Sequence, residues 1–184
     1  MKIISTPIKD LILIDPKQHK DKRGFFLESF QEKRYQTMLK QDIHFVQDNL
    51  SRSSRNVLRG LHYQLIQAQD KLVTVVRGSV FDVAVDIRTN SNTFGQWFGT
   101  ILNDENHYQL FIPKGFAHGF CVLSDVVDFH YKCSDYYNPH AEQGILWSDP
   151  NLAIVWPIRT PIISPKDKDY PCLKNLSAEL LFEH

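Results

Sequence analysis

Short runs in which apolar and polar residues alternate, separated by Gly, Pro, Asn and Asp turn signals, make up most of the chain. Residues two apart share a face of a strand, so this period predicts strands packed on one side. Leu11-Ile12-Leu13-Ile14 is a short apolar strand ended by Asp15-Pro16, and Phe25 to Phe30 follows the turn Asp21-Lys22-Arg23-Gly24. Gln31 to Lys40 departs from the pattern. It carries Tyr35, Met38 and Leu39 at helical spacing, which predicts one short helix on the outside. From His44 onward the reading is β. His44 to Asn49 alternates and breaks at Ser51 to Asn56; Leu58 to Leu65 follows, and Lys71 to Val76 and Ser79 to Ile87 flank an Arg77-Gly78 turn. Trp97 to Leu102, Tyr108 to Ile112, Gly119 to Leu123, Val126 to Tyr131 and Gly144 to Trp147 complete the set. Many short strands of this kind predict a β-sandwich or barrel. After Trp156-Pro157 the chain turns polar and proline-rich (Pro161, Pro165, Pro171), which predicts an extended segment lying over the barrel, and Leu176 to His184 reads as a short helix or a fraying tail.

The run Leu58-Arg59-Gly60-Leu61-His62-Tyr63-Gln64 stands out. Strict alternation puts Gly60, His62 and Gln64 on one face and Arg59, Leu61 and Tyr63 on the other. A glycine inside an otherwise good strand marks the close approach of a ligand or another backbone. His62 would act on whatever comes near Gly60. Taken alone, such a histidine is more commonly half-buried and satisfied by its neighbours. In Phe81 to Arg88, Asp82 and Asp86 fall on one face at the same period.

Composition narrows the class. A chain of 184 residues suits one domain with a sizeable core. Lys+Arg and Asp+Glu both number 21, so no bulk basic field exists to hold nucleic acid or a membrane surface. The three cysteines, Cys121, Cys133 and Cys172, form no CxxC pair, which argues against a disulfide framework or thiolate zinc site and for free thiols in a reducing compartment. The N-terminal stretch lacks a long apolar core and no later segment could span a bilayer, so the cytoplasm is the expected location.

Several polar groups fall where a core would want apolar ones. Phe111 to Phe120 is a proline-glycine turn leading into a strand that carries His118. Together with Gly60-Leu61-His62 and Gly78 it resembles the two half-motifs of the cupin superfamily, a β jelly roll. Metal-binding cupins usually offer an H-x-H pair; here that pair is His62-Tyr63-Gln64. Gln is a poor ligand for a transition metal, and His62 with His118 alone would leave a metal under-coordinated. A non-metal acid–base role for His62 fits better. Arg59, Arg23 and Lys71 are cations suited to phosphate, although each taken singly is what a surface ion pair would also require. Gln47, Asn49 and Ser51 share a strand face and could hydrogen-bond a base or sugar, or simply form a polar edge. Tyr131 is a candidate acid or a packing residue. Asp167 could orient His62, but spacing does not pair them.

At full length these residues resemble a known family, the metal-independent, cupin-like dTDP-4-dehydrorhamnose 3,5-epimerases. The matching runs are Arg23-Gly24-Phe25-Phe26-x-Glu28, Gln47-x-Asn49-x-Ser51, Leu58 to Gln64, Lys71-Leu72-Val73, Phe81 to Arg88, Ile112-Pro113-x-Gly115 to Phe120, and Ser164-x-Lys166-Asp167. The resemblance implies an all-β, cupin-type jelly-roll sandwich or barrel with a few short peripheral helices. It implies a single epimerase domain over residues 1–184, with 173–184 as a C-terminal tail. The substrate would be a dTDP-linked 4-keto-6-deoxy sugar whose C4 ketone acidifies the C3 and C5 protons. His62 would be the base, Asp167 its partner, Lys71 the cation at the developing enolate, and Tyr131 the acid on the opposite face. Arg59 would bind diphosphate, Gln47, Asp48 and Asn49 the nucleotide, and Ser51 the substrate. His118, Glu142 and Lys166 would touch substrate. Arg23 and Glu28 would come from the neighbouring subunit of a homodimer with exchanged N-terminal strands, and Phe26 would bind substrate. No cofactor and no metal are implied. The alternatives are a single-centre epimerase acting at C3 or C5 of a related nucleotide-linked 4-ketosugar and, from another class, a metal-binding or non-catalytic sugar-binding cupin.

Overall fold

The structure, a computed structural model, describes residues 1–183; His184, the end of the predicted tail, lies outside the described residues. The strands are β1 (Lys2–Ser5), β2 (Ile12–Asp15), β3 (Gln18–Asp21), β4 (Gly24–Leu27), β5 (Gln47–Ser54), β6 (Leu58–Gln64), β7 (Lys71–Arg77), β8 (Ser79–Asp86), β9 (Trp97–Asn103), β10 (Gln109–Ile112), β11 (Phe116–Val122), β12 (Val126–Cys133) and β13 (Glu142–Gly144). Two helices, α1 (Glu32–Leu39) and α2 (Pro165–Asp169), and two single 3-10 turns accompany them. Six strands form one antiparallel sheet in the order β1-β2-β10-β7-β12-β5, and five form the facing sheet, β13-β6-β11-β8-β9. β3 and β4 form a separate hairpin. This is an all-β sandwich, one of the two forms that the alternation left open, and it is the jelly roll that the resemblance implied.

The core follows from the period of two. Val73, Val75, Leu110, Val127 and Phe129 of the first sheet meet Val80, Ala84, Leu102, Phe120 and Val122 of the second. β8 carries Val83 and Val85 on its other face, and there they pack against Ile145, Leu152, Leu173 and the flanks of Ile154, Trp156 and Phe182. Its apolar run is unbroken because the C-terminal segment covers the face that a simple sandwich would leave wet. The predicted helix is present one residue shorter at each end, with Gln31 as N-cap and Lys40 in the left-handed C-cap conformation. It buries Tyr35 and Leu39 against Ile14, Leu72 and Phe111.

Four local readings are corrected. β5 does not break at Ser51; it stays paired to Ser54, where Ser54 faces Val126. Its polar residues suit an edge strand, and Arg52 holds Asp128 across the pair with contacts of 2.6 and 2.8 Å. β1 and β3 were missed: β1, Lys-Ile-Ile-Ser, is too short to show a period and is set by its pairing with β2, and β3 is Gln-His-Lys-Asp, formed by its turn and register with β4. The proline-rich segment is not wholly extended. Ser164 caps α2 by accepting from the Asp167 N–H at 3.1 Å, and Pro165 occupies the first turn, where its missing N–H costs nothing. The fourth correction concerns the face of Arg59. Gly60 has φ +121, and a Cβ there would come within 2.6 Å of Gly119 Cα. The register slips between His118↔His62 and Phe120↔Arg59, so two β6 residues oppose one β11 residue. Such a bulge reverses the alternation, and Arg59 joins His62 on the inner face. Among the described residues no helix is long and apolar enough to cross a membrane.

Candidate active site

Between the sheets lie two adjoining cavities of about 330 and 170 Å³ that share His62, Lys71 and Tyr131. A larger open groove of about 740 Å³ runs between the N-terminus and α1, away from these side chains. His62 comes from the five-stranded sheet. Lys71 and Tyr131 come from the six-stranded sheet, on β7 and β12. The sandwich therefore presents the two candidate proton carriers from opposite walls, which no run of sequence could show.

His62 is fixed from behind by α2. Its Nε2 lies 2.8 Å from Asp167 Oδ1, and the Gly60 N–H donates to Asp167 Oδ2 at 3.1 Å. One carboxylate thus holds the imidazole and the backbone two residues before it. Burial raises the Asp167 carboxyl, but the hydrogen bonds from His62, Gly60 and Ser164 and the pull of the imidazole outweigh it and hold the group below its usual range. With Nε2 engaged, Nδ1 is the nitrogen left free, 3.8 Å from Glu142 Oε1.

Across the cavity, β5, β12 and β7 stack their inward residues in rows. Tyr131 lies between Asn49 and Val73, and Cys133 between Gln47 and Lys71. Lys71 makes no ion pair among the described residues. Burial pulls its ammonium below the usual range, opposed by Cys133, Glu142 and Asp82. Burial and the Cys133 thiol push the Tyr131 phenol up, while Arg59 draws it down. The net rise keeps Tyr131 protonated at neutral pH. Asn49 donates to Cys133 Sγ at 3.7 Å.

A second histidine–carboxylate pair completes the smaller cavity: His118 Nε2 meets both oxygens of the fully buried Asp82 at 3.0 and 2.9 Å. Arg59 lines the same space and, among the described residues, uses only Nε, on Ser53 Oγ at 3.1 Å. At the mouth, Glu142 Oε2 accepts from Tyr137 at 2.6 Å and from Lys166 at 2.5 Å. Burial raises the Glu142 carboxyl, and these partners overcome it to leave the net shift downward. Gln64, where a metal-type cupin would carry its second imidazole, is buried. It donates to Gln67 O and Tyr136 O and accepts from the Asn138 N–H, lacing the two loops of the rim. Among the described residues no group of three or more His, Cys, Asp or Glu side chains is arranged to hold a metal ion.

Most of the predicted set converges here: Gln47, Asn49, Ser51, Arg59, His62, Lys71, His118, Tyr131 and Glu142 line the cavities, with Asp167 and Lys166 against them. Four residues do not. Asp48 points to the outer face of β5 and pairs with Lys132 at 2.6 Å. Arg23 and Phe26 stand on the β3–β4 hairpin, the Arg23 side chain 90% exposed and paired with Asp21, and Glu28 pairs with Arg34. Sequence reading missed Tyr137 and Asp82 as site neighbours. An aromatic pair before Asn138-Pro139 and a carboxylate inside an apolar strand were the available signals.

Comparison with known proteins places the chain among dTDP-sugar epimerases, which include a dTDP-4-dehydrorhamnose 3-epimerase from Streptomyces niveus, 43% identical over 157 residues and covering 85% of this chain and 76% of the relative. The family model described as dTDP-4-dehydrorhamnose 3,5-epimerase matches residues 5–175. A dTDP-4-dehydrorhamnose 3,5-epimerase from Shigella flexneri is 54% identical over 168 residues, covering 91% of this chain and 93% of the relative. The crystal structure of the dTDP-6-deoxy-D-glucose-3,5-epimerase from Legionella pneumophila, in complex with dTDP-4-keto-L-rhamnose, superimposes with a TM-score of 0.97 at 56% identity, covering 100% of this chain and 98% of that one. The corresponding epimerase from Bacillus anthracis, with TDP and PPi bound, gives 0.90 at 46% identity over 93% and 98% of the two chains.

Proposed function

The chain belongs to the dTDP-4-dehydrorhamnose 3,5-epimerase family, and we propose that the cavity between its sheets carries the reaction with His62 as base and Tyr131 as acid. The activity is that of an isomerase, which inverts C3 and C5 of dTDP-4-dehydro-6-deoxy-D-glucose to give dTDP-4-dehydro-L-rhamnose. The C4 ketone makes both neighbouring C–H groups acidic. His62 Nδ1 takes a proton, the electron pair moves onto the ketone oxygen, and a proton returns to carbon from the other face. Inversion needs a base and an acid on opposite sides of the sugar plane. The observation that carries this reading is the pairing of Asp167 with His62 Nε2 at 2.8 Å on one wall, with the half-buried phenol of Tyr131 on the other.

Lys71, with no ion pair among the described residues and lining the cavities with both groups, would stabilise the enolate oxygen, where a fixed charge helps the transition state more than the ground state. The open guanidinium of Arg59 suits the diphosphate, and Gln47, Asn49 and Ser51 on one face of β5 suit the nucleoside. Glu142, Lys166 and His118 would hold the sugar. The exposed hairpin supports a homodimer in which Arg23, Phe26 and Glu28 complete the partner's site. Phe25 and Phe26 are 54% and 70% exposed, a cost that a second copy would remove.

Two experiments test this. In D2O, NMR of dTDP-4-dehydro-6-deoxy-D-glucose with the enzyme is expected to show deuterium at both C3 and C5 and epimerised product. A bound substrate with no exchange at either carbon would overturn the assignment. For the dimer, His62→Ala and Arg23→Ala chains are mixed and reassociated. If Arg23 acts on the partner's site, a mixed dimer regains one intact site; if it acts within its own chain, no activity returns.

A further inference from the structure

Tyr170 lies one residue past α2 and is assigned no part in the chemistry above. Its ring meets the His62 imidazole edge to face, with centroids 5.8 Å apart and planes at 67°. Room for that ring exists because of Gly144. Gly144 is the cross-strand partner of His62, and a Cβ built on it would overlap Tyr170 Cδ2, Cε2 and Cζ. The Tyr170 hydroxyl is buried and finds no well-formed hydrogen bond among the described residues. Burial pushes the phenol up from its ordinary range and the Glu142 carboxylate adds to this, against the pull of Lys166, so the group is neutral.

We propose that Tyr170 is a positioning residue that fixes the plane of the His62 imidazole, and that it does so through its ring and not its hydroxyl. The inference rests on the reading of His62 as base. Asp167 tethers one ring nitrogen but leaves the imidazole free to turn about that bond. An aromatic edge packed on the ring removes this freedom, and Gly144 is the absence of side chain that lets it approach. Aromatic pairs prefer this tilted geometry. Holding a catalytic group within a few tenths of an ångström of the reacting atom is worth orders of magnitude, and a misplacement of ~1 Å can cost ~100-fold. The hydroxyl makes no well-formed hydrogen bond among the described residues, and its polar neighbour Lys166 keeps its own pair with Glu142, so phenylalanine retains what the position needs.

The test compares Tyr170→Phe, Tyr170→Ala, Gly144→Ala and the double variant in the full-length enzyme, with kcat, KM and thermal midpoint measured for each. Tyr170→Phe is expected to keep kcat within about twofold, because the ring is retained. Tyr170→Ala is expected to lose at least ~10-fold in kcat with KM within about threefold, the signature of lost positioning and not of lost binding. Gly144→Ala keeps the tyrosine but displaces its ring, so kcat falls there too. The double variant is expected to be no slower than Tyr170→Ala alone, a non-additivity that direct contact requires. Three results would overturn the proposal: a Phe variant as slow as the Ala variant, a Tyr170→Ala enzyme with its kcat intact, or fully additive losses. Failure of the underlying reading is separate, since it would show as a His62→Ala enzyme that still exchanges deuterium.

Discussion

Replacing Asp167 by asparagine exchanges one oxygen for an NH2 group, and it is expected to stop the reaction while sparing the fold. Both carboxylate oxygens are committed: Oδ2 accepts the Gly60 N–H at 3.1 Å and Oδ1 faces His62 Nε2 at 2.8 Å. A backbone N–H can only donate, so the asparagine oxygen must turn to Gly60 and its NH2 to His62. Nε2 must then be the unprotonated nitrogen, and the proton moves to Nδ1, the nitrogen that has to accept from carbon. The substitution therefore selects the wrong tautomer. It also removes the negative charge that steadies the imidazolium. Two unit charges ~4 Å apart at an effective dielectric of ~20 interact by about 4 kcal/mol. At about 1.4 kcal/mol per factor of ten, that alone is close to 10³ in kcat. The tautomer adds to it, and the same exchange in a serine protease triad costs about 10⁴. The assay is single-turnover NMR of C3 and C5 exchange in D2O, with the thermal midpoint recorded in parallel. An Asp167→Asn enzyme that folds and keeps more than about a tenth of kcat would refute both the tautomer argument and the assignment of His62.

Other perturbations read other parts of the site. His62→Ala is expected to abolish turnover with nucleotide binding largely intact, measured by calorimetry with dTDP. Lys71→Ala should lower kcat far more than it raises KM; a change in KM alone would make Lys71 a binding group. Asp86 is fully buried, and although burial raises its carboxyl, the hydrogen bonds from Arg88, Ser91 and Thr93 hold it low. Asp86→Ala takes the carboxylate from Arg88, whose side chain is 7% exposed, and from Ser91 and Thr93, but leaves Arg88 its pair with Asp10 at 2.9 Å, so the expected cost in a denaturant titration is about 1–3 kcal/mol. Asp86, Asp167 and Glu142 all have carboxyls depressed on folding, so the stability they contribute is present above the ordinary carboxylate range and lost as pH falls through their lowered values. The thermal midpoint should therefore hold near neutrality and drop below pH ~4, and Asp86→Asn should flatten that drop.

Alternation along Lys71 to Val76, Ser79 to Ile87 and Val126 to Tyr131 was enough to predict strands in a sandwich or barrel, because a period of two is a property of the backbone itself. The inward set Gln47, Asn49 and Ser51 was readable for the same reason. Resemblance carried the rest of the site list, since nothing in the spacing of His62 and Asp167 relates them. Three things were decided only in the folded chain. The bulge at Gly60 turned Arg59 onto the cavity face, and a bulge depends on the approach of Gly119 from another strand. α2 was hidden in a proline-rich stretch, yet it delivers Asp167 to His62 and Tyr170 to the glycine at 144. The opposition of His62 to Tyr131 and Lys71 exists only because one lies on the five-stranded sheet and the others on the six-stranded sheet. Local periodicity determines which face of a strand a side chain takes. Which faces meet across the core is settled by long-range pairing, and that is where base, acid and cation become one site.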